Sequence, residues 1–500
     1  VRDIFPAMAA PSLSLHPERL TPPPIGLDAR SRIEHLFLLQ RAHAPAMART
    51  TAAERRERLR RLRAAVVARR QAVLDALWSD LHRAPAETEL TELHVVLAEL
   101  DHAVRALPGW MRGRRLRSAL TVLGTTSRLV YEPRGVALVL APWNYPFHLV
   151  LNPLTSALAA GNCVICKPSE KTPATEAVLR ELIGAAFPPE EVAMVEGGPD
   201  VAAALLEQPF DHIHFTGGTA IARRLMAAAA QHLATVTLEL GGKSPCVVDD
   251  TADVEAAADR IVFGRFMNAG QACIAPDYVL VHASRETAMV DALRRAVGRM
   301  YGPDEAVRRR TADFGRIVDG AHFERLAELF RRTVAAGAEV VTGGEFDAAE
   351  RYVAPTVLRR VTPEMAAMQE EIFGPILPVL AWRDRDEALA VIRGLDKPLM
   401  LYLFTRDRET ARWFVAETRA GGTVINNVGL HYLNHHAPFG GVGASGMGAC
   451  HGFAGFRSFS HERTVMRQWW PVTLPLFAPP YAGARARAAQ WLLRTIQRLG

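Results

Sequence analysis

Residues 135–173 run GVALVLAPWNYPFHLVLNPLTSALAAGNCVICKPSEKTP. Gly135–Leu140 and Asn162–Cys166 are short apolar runs of strand type, and Pro153–Ala160 between them is helical. The alternation continues downstream. Thr175–Ala186 reads as a helix, Asp211–Phe215 as a strand and Thr219–His232 as a helix. Strands and helices alternating at this spacing form βαβ units on a parallel sheet. A second α/β series starts near Leu240, with a strand at Cys246–Val248, a helix over Val254–Met267 and a strand at Tyr278–Val281, and continues to about residue 430.

Upstream, residues 31–107 carry helical periodicity, as in Leu74, Leu77, Trp78 and Leu81. Residues 1–30 read as an extended arm and Ser118–Tyr131 as strand-like. The tail from His435 to Arg467 is glycine-rich and then aromatic, and residues 469–481 are apolar but interrupted by four prolines. The closing segment Ala484–Leu499 sets Trp491, Leu492, Ile496 and Leu499 beside Arg487, Arg494 and Arg498. It is expected to be a helix docked on the protein or on a second subunit, with contact at a membrane surface as the sharper alternative.

At 500 residues the chain is long enough for two or three domains. Its 49% hydrophobic and 22% charged residues and mean hydropathy of +0.03 place it with soluble globular proteins. No run approaches the ~20 apolar residues of a membrane span. The net charge of +6 suggests nucleic-acid binding until it is mapped. Arg55, Arg56, Arg58, Arg60, Arg61, Arg63, Arg69 and Arg70 face only Glu54 and Glu57 in one segment. Leu59, Leu62, Val66 and Val67 recur there at helical spacing, so the arginines read as the solvated face of an amphipathic helix. No nucleic-acid partner is expected. Five cysteines form no disulfide framework and the N-terminus has no apolar signal core, which points to a cytoplasmic enzyme.

Four motif matches lead nowhere. Gly441–Gly446 spells GxGxxG without the strand before and helix after that a dinucleotide fingerprint needs. Gly242-Lys243-Ser244 lacks the first glycine of a P-loop, since Thr237 holds that position. Cys163 and Cys166 lie in one strand on opposite faces. His431, His435 and His436 have no supporting carboxylate or thiolate spacing, so no metal is expected.

Five segments carry chemistry. Cys273, in Asn268-Ala-Gly-Gln-Ala-Cys-Ile-Ala-Pro276, sits in a crowded turn of small residues between helix and strand, where a thiol can meet a substrate. Glu239, among Val236, Leu238 and Leu240, is a carboxylate whose desolvation makes it a general base. Asn144, in Ala141-Pro-Trp-Asn-Tyr-Pro146, follows a strand and can donate to a developing oxyanion without adding charge. Lys167 and Glu170 end the next strand, at the edge where open α/β sheets bind ligands; Lys167 can bond ribose hydroxyls or approach a phosphate, and Glu170 can accept from an adenosine ribose hydroxyl. Phe215-Thr-Gly-Gly-Thr219 joins strand to helix, whose N-terminus can receive a pyrophosphate.

Taken together, PWN, KPSE, FTGGT, LELGGKSP, GQACIAP, EEIFGP and PFGG resemble, in order over roughly residues 30–467, the NAD(P)-dependent aldehyde dehydrogenase superfamily. GQACIAPDY, KPSEKTP and PFGGVGASGMG look most like its class 3 branch, which includes coniferyl-aldehyde and fatty-aldehyde dehydrogenases. The resemblance implies Cys273 as nucleophile, Glu239 as general base, and an oxyanion hole from the Asn144 side chain and the Cys273 N–H. It places Lys167 and Glu170 on the adenosine ribose, Gly217 near the pyrophosphate, and Glu371 and Phe373 at the nicotinamide ribose. Lys243 matches a motif position with only a structural role. No metal is required. The cofactor implied is NAD, with Glu170 repelling a 2′-phosphate and NADP left open. The fold implied is α/β, with a Rossmann-like nucleotide-binding domain (31–117 and 136–237), a catalytic domain (238–436), a bridging β element (118–135 and 437–467) and an extension (468–500). That bridging element pairs subunits in the family, so a homodimer is expected.

Cys450, Asn427 and His148 depart from the family pattern and leave the aldehyde open. The expected substrate is apolar or aromatic, such as coniferyl aldehyde, with a long-chain aliphatic aldehyde as the alternative. A cofactor-independent thiol esterase and a non-catalytic binding protein are the competing classes.

Overall fold

The computed structural model describes residues 28–499 apart from 120, 121, 123, 471–477 and 480. Most of the arm expected over 1–30 lies outside the described residues. Three sheets and a short hairpin organise the chain. The strands Arg114–Leu116 (β1) and Thr125–Pro133 (β2) belong to a small antiparallel sheet completed by Ser460–Gln468 (β18), in the order β1-β2-β18. The expected strand over Ser118–Tyr131 starts later, at Thr125. Gly124 precedes it at φ +84° and accepts from the backbone N–H groups of Trp469 and Trp470. A side chain at 124 would lie 2.4 Å from the Trp470 carbonyl, so only glycine permits this closure.

The first large sheet contains Val136–Leu140 (β3), Cys163–Lys167 (β4), Val192–Met194 (β5), His212–Gly217 (β6), Thr235–Leu240 (β7) and Gly446–Met447 (β17). Its order is β17-β7-β6-β3-β4-β5, parallel except for β17. All five residues of β3 and of β4 are buried, as strands covered by helices on both faces must be. The helix expected at Pro153–Ala160 starts earlier, at His148, and contains Pro153. The His148 N–H is taken by the Glu92 carboxylate at 2.7 Å, so a distant side chain does the work of a cap.

The second sheet contains Pro245–Val248 (β8), Tyr278–His282 (β9), Glu339–Thr342 (β10), Thr356–Arg359 (β13), Ile376–Trp382 (β14), Met400–Phe404 (β15) and Gly422–Ile425 (β16). Its order is β10-β13-β14-β9-β8-β15-β16, with only β10 antiparallel. Phe346–Asp347 (β11) and Tyr352–Val353 (β12) form the hairpin. Separate clusters of buried side chains lie around the two large sheets. Among the described residues no helix is long and apolar enough to cross a membrane. The helix Gly483–Leu499 leaves Trp491 67% exposed, so Trp491 does not dock it on this chain.

The arginine-rich segment forms the helix Ala52–Ala68, with Leu59, Leu62 and Val66 buried. Two details differ from the amphipathic reading. Val67 is half exposed rather than in the apolar stripe, and Arg55 is buried. The Arg55 guanidinium donates to the carbonyls of Ala159 (3.2 Å) and Ala160 (2.5 Å), which end the helix under β4. Its charge meets the negative end of that helix, and Gly161 leaves room for it. Arg55→Leu is therefore expected to lower the unfolding free energy by about 2–4 kcal/mol. Arg60→Leu on the exposed face should change it by less than about 0.5 kcal/mol. Equal effects in urea melts of the two variants would contradict the buried role.

Candidate active site

In the first sheet the chain runs from β3 through β4 to β5 on one side, then crosses back to β6 and β7 on the other. Ligands of open α/β sheets bind at such a reversal, outside the carboxyl ends of the strands. Asn144 follows β3, Lys167 and Gly217 end β4 and β6, and Glu239 lies one residue before the end of β7. Residues 241–244 then lead directly into β8. The carboxyl edge of the first sheet thus faces the amino edge of the second, and Cys273 lies in the turn before β9.

That turn has an unusual backbone. Asn268, Ala269 and Gly270 have φ of +52°, +50° and +75°. For the two non-glycine residues the left-handed region costs about 1–2 kcal/mol each. A side chain at 270 would come within 2.3 Å of the Gly374 carbonyl. The geometry is held from several directions. Asn268 Nδ2 donates to the Asn144 carbonyl (2.8 Å) and the Gln271 carbonyl (3.1 Å), and the Asn268 N–H donates to Glu87 (2.7 Å). Gln271 Nε2 donates to the carbonyls of Asn268 and Arg316, both at 3.0 Å, and its Oε1 accepts from the Val318 N–H. The Asn144 side chain reaches into the same turn, its Nδ2 donating to the Gln271 carbonyl at 3.2 Å.

Arg83 stands behind this arrangement and is completely buried. Its guanidinium donates to Glu92 (2.7 Å), to Asn268 Oδ1 (3.2 Å) and to the Asn144 carbonyl, and lies 4.6 Å over the Tyr145 ring. The sequence holds no signal for this role, because Arg83 is one of many arginines in a helical region. Asn268 and Gln271 lie within a quoted motif, yet their part in it shows only through partners far along the chain.

Cys273 is partly exposed. Burial of the sulfur pushes its thiol up to about 12, and the nearby Glu371 and Glu239 charges add to this. Glu239 is buried, and among the described residues neither carboxyl oxygen has a hydrogen-bond partner of good geometry. Burial holds it well above the usual carboxylate range, and the Cys450 thiol, a weak donor, opposes this. Glu371 is raised to about 8 by burial and then by Asp277, against the Gly242 N–H. Its carboxylate fills the space beside Gly241, where a side chain would meet it at 2.1 Å. Lys243 donates to Asp277 and to the carbonyls of Ala367 (2.7 Å) and Glu370 (2.9 Å), tying that segment in place. On another side Tyr432 packs edge-on to Phe439 (4.9 Å) and His451 (4.5 Å), and His148 lies 5.5 Å from Tyr432 and 5.2 Å from Tyr145.

The remaining groups fit a dinucleotide. Lys167 Nζ is buried, donates to the Pro168 carbonyl (2.8 Å) and lies 3.4 Å from Glu170. A third acid, Glu176, which the motifs do not include, is raised to about 7 by burial and then by Glu196. Gly218 caps the helix Thr219–Gln231 without a side chain, the first turn holds no acid, and the Thr219 hydroxyl is turned to the Ala444 carbonyl (2.9 Å), so among the described residues no side chain caps the helix's first N–H groups. Phe373, at φ +49°, meets Trp143 edge-on at 5.4 Å.

The profile of the aldehyde dehydrogenase family matches residues 29–465. The chain is 41% identical over 429 residues to the 4,4′-diaponeurosporen-aldehyde dehydrogenase of Staphylococcus aureus, covering 86% of this chain and 92% of that protein. It is 42% identical over 412 residues to aldehyde dehydrogenase family 3 member A2 of Mus musculus, covering 82% and 84%. A substrate-bound structure of Staphylococcus aureus AldH superposes with a TM-score of 0.88 at 38% identity, covering 92% of this chain and 99% of that one.

The electrostatics give a direct test. With its thiol near 12, Cys273 in the ligand-free protein should be alkylated by iodoacetamide about tenfold faster per pH unit, from about pH 7 to about pH 10. The buried Cys163, Cys166 and Cys246 serve as unreactive controls in the same mass spectra. A plateau in the Cys273 rate below about pH 9 would show that the thiol titrates lower than this environment dictates.

Proposed function

The chain belongs to the aldehyde dehydrogenase family and is an NAD(P)-dependent enzyme, and on that premise we propose that it oxidises an apolar aldehyde with Cys273 as nucleophile and Glu239 as general base. The observation that carries this is the meeting of three groups where the two sheets face each other: a thiol, a desolvated carboxyl, and a carboxamide fixed by the turn holding the thiol. The Cys273 thiol passes its proton to the Glu239 carboxylate, its sulfur adds to the aldehyde carbon, and the carbonyl oxygen takes the charge. Asn144 Nδ2 and the Cys273 N–H stabilise that oxygen, an effect of order 10²–10³ in rate for a removed donor. NAD, when bound, accepts the hydride from the carbon attached to sulfur. Glu239, once it has released the first proton to solvent, takes a proton from water, which attacks the thioester; the carbon–sulfur bond breaks, and Glu239 returns the proton to the departing sulfur, giving the acid and the free thiol. Burial without a partner makes the Glu239 carboxylate a stronger base than a solvated one.

Lys167, Glu170, Gly217, Glu371 and Phe373 are the proposed cofactor contacts. The acids Glu170 and Glu176 beside Lys167 favour NAD over NADP, because a 2′-phosphate would add charge to an already acidic site. The proposed division has the first sheet carrying the dinucleotide and the second carrying the thiol, with β2 and β18 bridging. Tyr145, Tyr432 and Phe439 supply an aromatic wall suited to coniferyl-type aldehydes. A long-chain aldehyde is the second reading. It is favoured by the helix Gly483–Leu499, which carries Arg485, Arg487, Arg494 and Arg498, exposes Trp491 and suits a membrane surface. The 4,4′-diaponeurosporen-aldehyde in one relative's name is a further aldehyde to test. The unpaired cysteines suit a reducing cytoplasm.

NADH formation at about 340 nm, measured across aromatic and long-chain aldehydes with NAD and NADP, decides among these. Glu239→Gln should give one rapid burst of NADH per site and then turn over about 10²–10³-fold more slowly. Full steady-state activity in that variant would remove Glu239 from the mechanism. Ester hydrolysis unaffected by cofactor, with no oxidation of any aldehyde, would favour the esterase class instead.

A homodimer through the small sheet is also proposed. Strand β18 is nine residues long, nearly all exposed, and among the described residues forms an unpaired edge of β1-β2-β18. A free edge of that length is an open template for a second chain. Sedimentation should give twice the chain mass, and charges at Val465 and Met466 should halve it. A monomer in the unmodified protein would remove the proposal.

A further inference from the structure

A second group of ligating side chains, none of them a proposed catalytic group, adjoins the aromatic wall at Tyr432. Glu99, on the helix His94–Met111, accepts the Gly452 backbone N–H through Oε1 at 2.7 Å. Its Oε2 lies 3.2 Å from His435 Nδ1 and 3.7 Å from His451 Nδ1. One ligand atom from each of the three residues lies within 4.8 Å of the others. Tetrahedral nitrogen and oxygen ligands at about 2.0–2.1 Å from a metal stand about 3.3 Å apart, close to these separations.

His451 distinguishes this from an ordinary ion pair. The residue is 4% exposed, and among the described residues neither ring nitrogen has a hydrogen-bond partner. An unmatched buried polar group costs about 1–3 kcal/mol, and a bound metal would satisfy one of the two. The carboxylate is already oriented by the Gly452 N–H, the outer support that metal ligands require. His435 is only partly buried. Stacked against it at 5.7 Å is His102, which also meets His436 edge-on at 4.8 Å, so the approach from solvent is lined with imidazoles.

We propose that Glu99, His435 and His451 form a zinc-binding site with a fourth position open to water. Two imidazoles and a carboxylate suit zinc and other borderline transition metals, and disfavour magnesium and calcium, which take oxygen ligands. The metal would pin residues 435–452 to the helix His94–Met111. That segment includes Gly446, which pairs with Glu239, and Cys450, whose thiol lies beside Glu239. Metal occupancy therefore firms the backbone that positions Glu239, while the metal itself takes no part in the chemistry.

Untagged, chelator-treated protein would be titrated with Zn²⁺ by calorimetry and with Co²⁺ by visible absorption. The expected result is one metal per chain, a raised melting temperature, and Co²⁺ bands without thiolate charge transfer. Glu99→Gln and His451→Gln should each weaken Zn²⁺ binding by roughly a hundredfold. His435→Gln, at a partly exposed position, gives the same readout if the buried variants fold poorly. A Cys273→Ala, Cys450→Ala double variant should keep the affinity. Loss of binding in that double variant, a thiolate band with Co²⁺, or no stoichiometric metal would each overturn the proposal.

Discussion

A single buried guanidinium holds the two halves of the site together. Arg83 belongs to the helical region before the first sheet, yet its donors reach Glu92, the carbonyl after β3 and the turn before β9. Removing one partner of such a buried charge costs about 3–5 kcal/mol, because the other is left uncompensated. The ion pair is thus poorly replaceable even where its net stabilisation is small. It also offsets the strain of Asn268 and Ala269, whose left-handed backbone brings the Asn144 carboxamide and the Cys273 turn together. Glu92 extends the same network by receiving the His148 N–H at the start of the helix between β3 and β4.

The second constraint runs the other way. Glu239 lies in β7 between β6 and the short antiparallel β17, and the fold provides no strong donor for either of its oxygens. Its raised proton affinity means that its contribution to stability is present below the ordinary carboxylate pKa and is lost as the pH rises through the folded value. The protein accepts this loss at the position proposed above for the general base. Glu371 shows a milder form, partly offset by the Gly242 N–H and the neighbouring Lys243 and Arg265. A carboxyl left without partners next to a thiol is the pattern expected when a site is arranged for proton transfer rather than for stability.

Arginine does more inside this protein than its basic composition suggests. Arg55 ends a helix, Arg83 braces the thiol turn, and Arg265 pairs with Asp277 at 3.0 Å, all of them buried. Arg58 and Arg61 reach Glu191 across the helix–sheet interface. The charged segment that reads as a solvated face is therefore partly a set of internal ties. Periodicity marks which apolar residues face the core, but a long cationic side chain can turn inward whatever its position on the helical wheel.

The amino-acid sequence by itself determined the alternation of strands and helices, the parallel sheets, and the short motifs at the strand ends. Each of these is written within a few consecutive residues, as apolar period, glycine punctuation or a chemically apt side chain. It also places Asn144, Lys167, Gly217 and Glu239 on neighbouring strand ends, because βαβ connections bring successive carboxyl ends to one edge. What only the tertiary structure decided is which distant groups meet there. Arg83 reaches residues 61 and 185 positions away, and Glu99 receives a backbone N–H from 353 positions away. No local pattern encodes such pairs. His435 reads as one of a histidine cluster with no supporting carboxylate until the fold sets Glu99 beside it and His451, and the desolvation expected of Glu239 is completed only when the fold withholds partners from its oxygens. Hydrogen bonds and charge pairs act over a few ångströms of space, and chain distance carries no information about them.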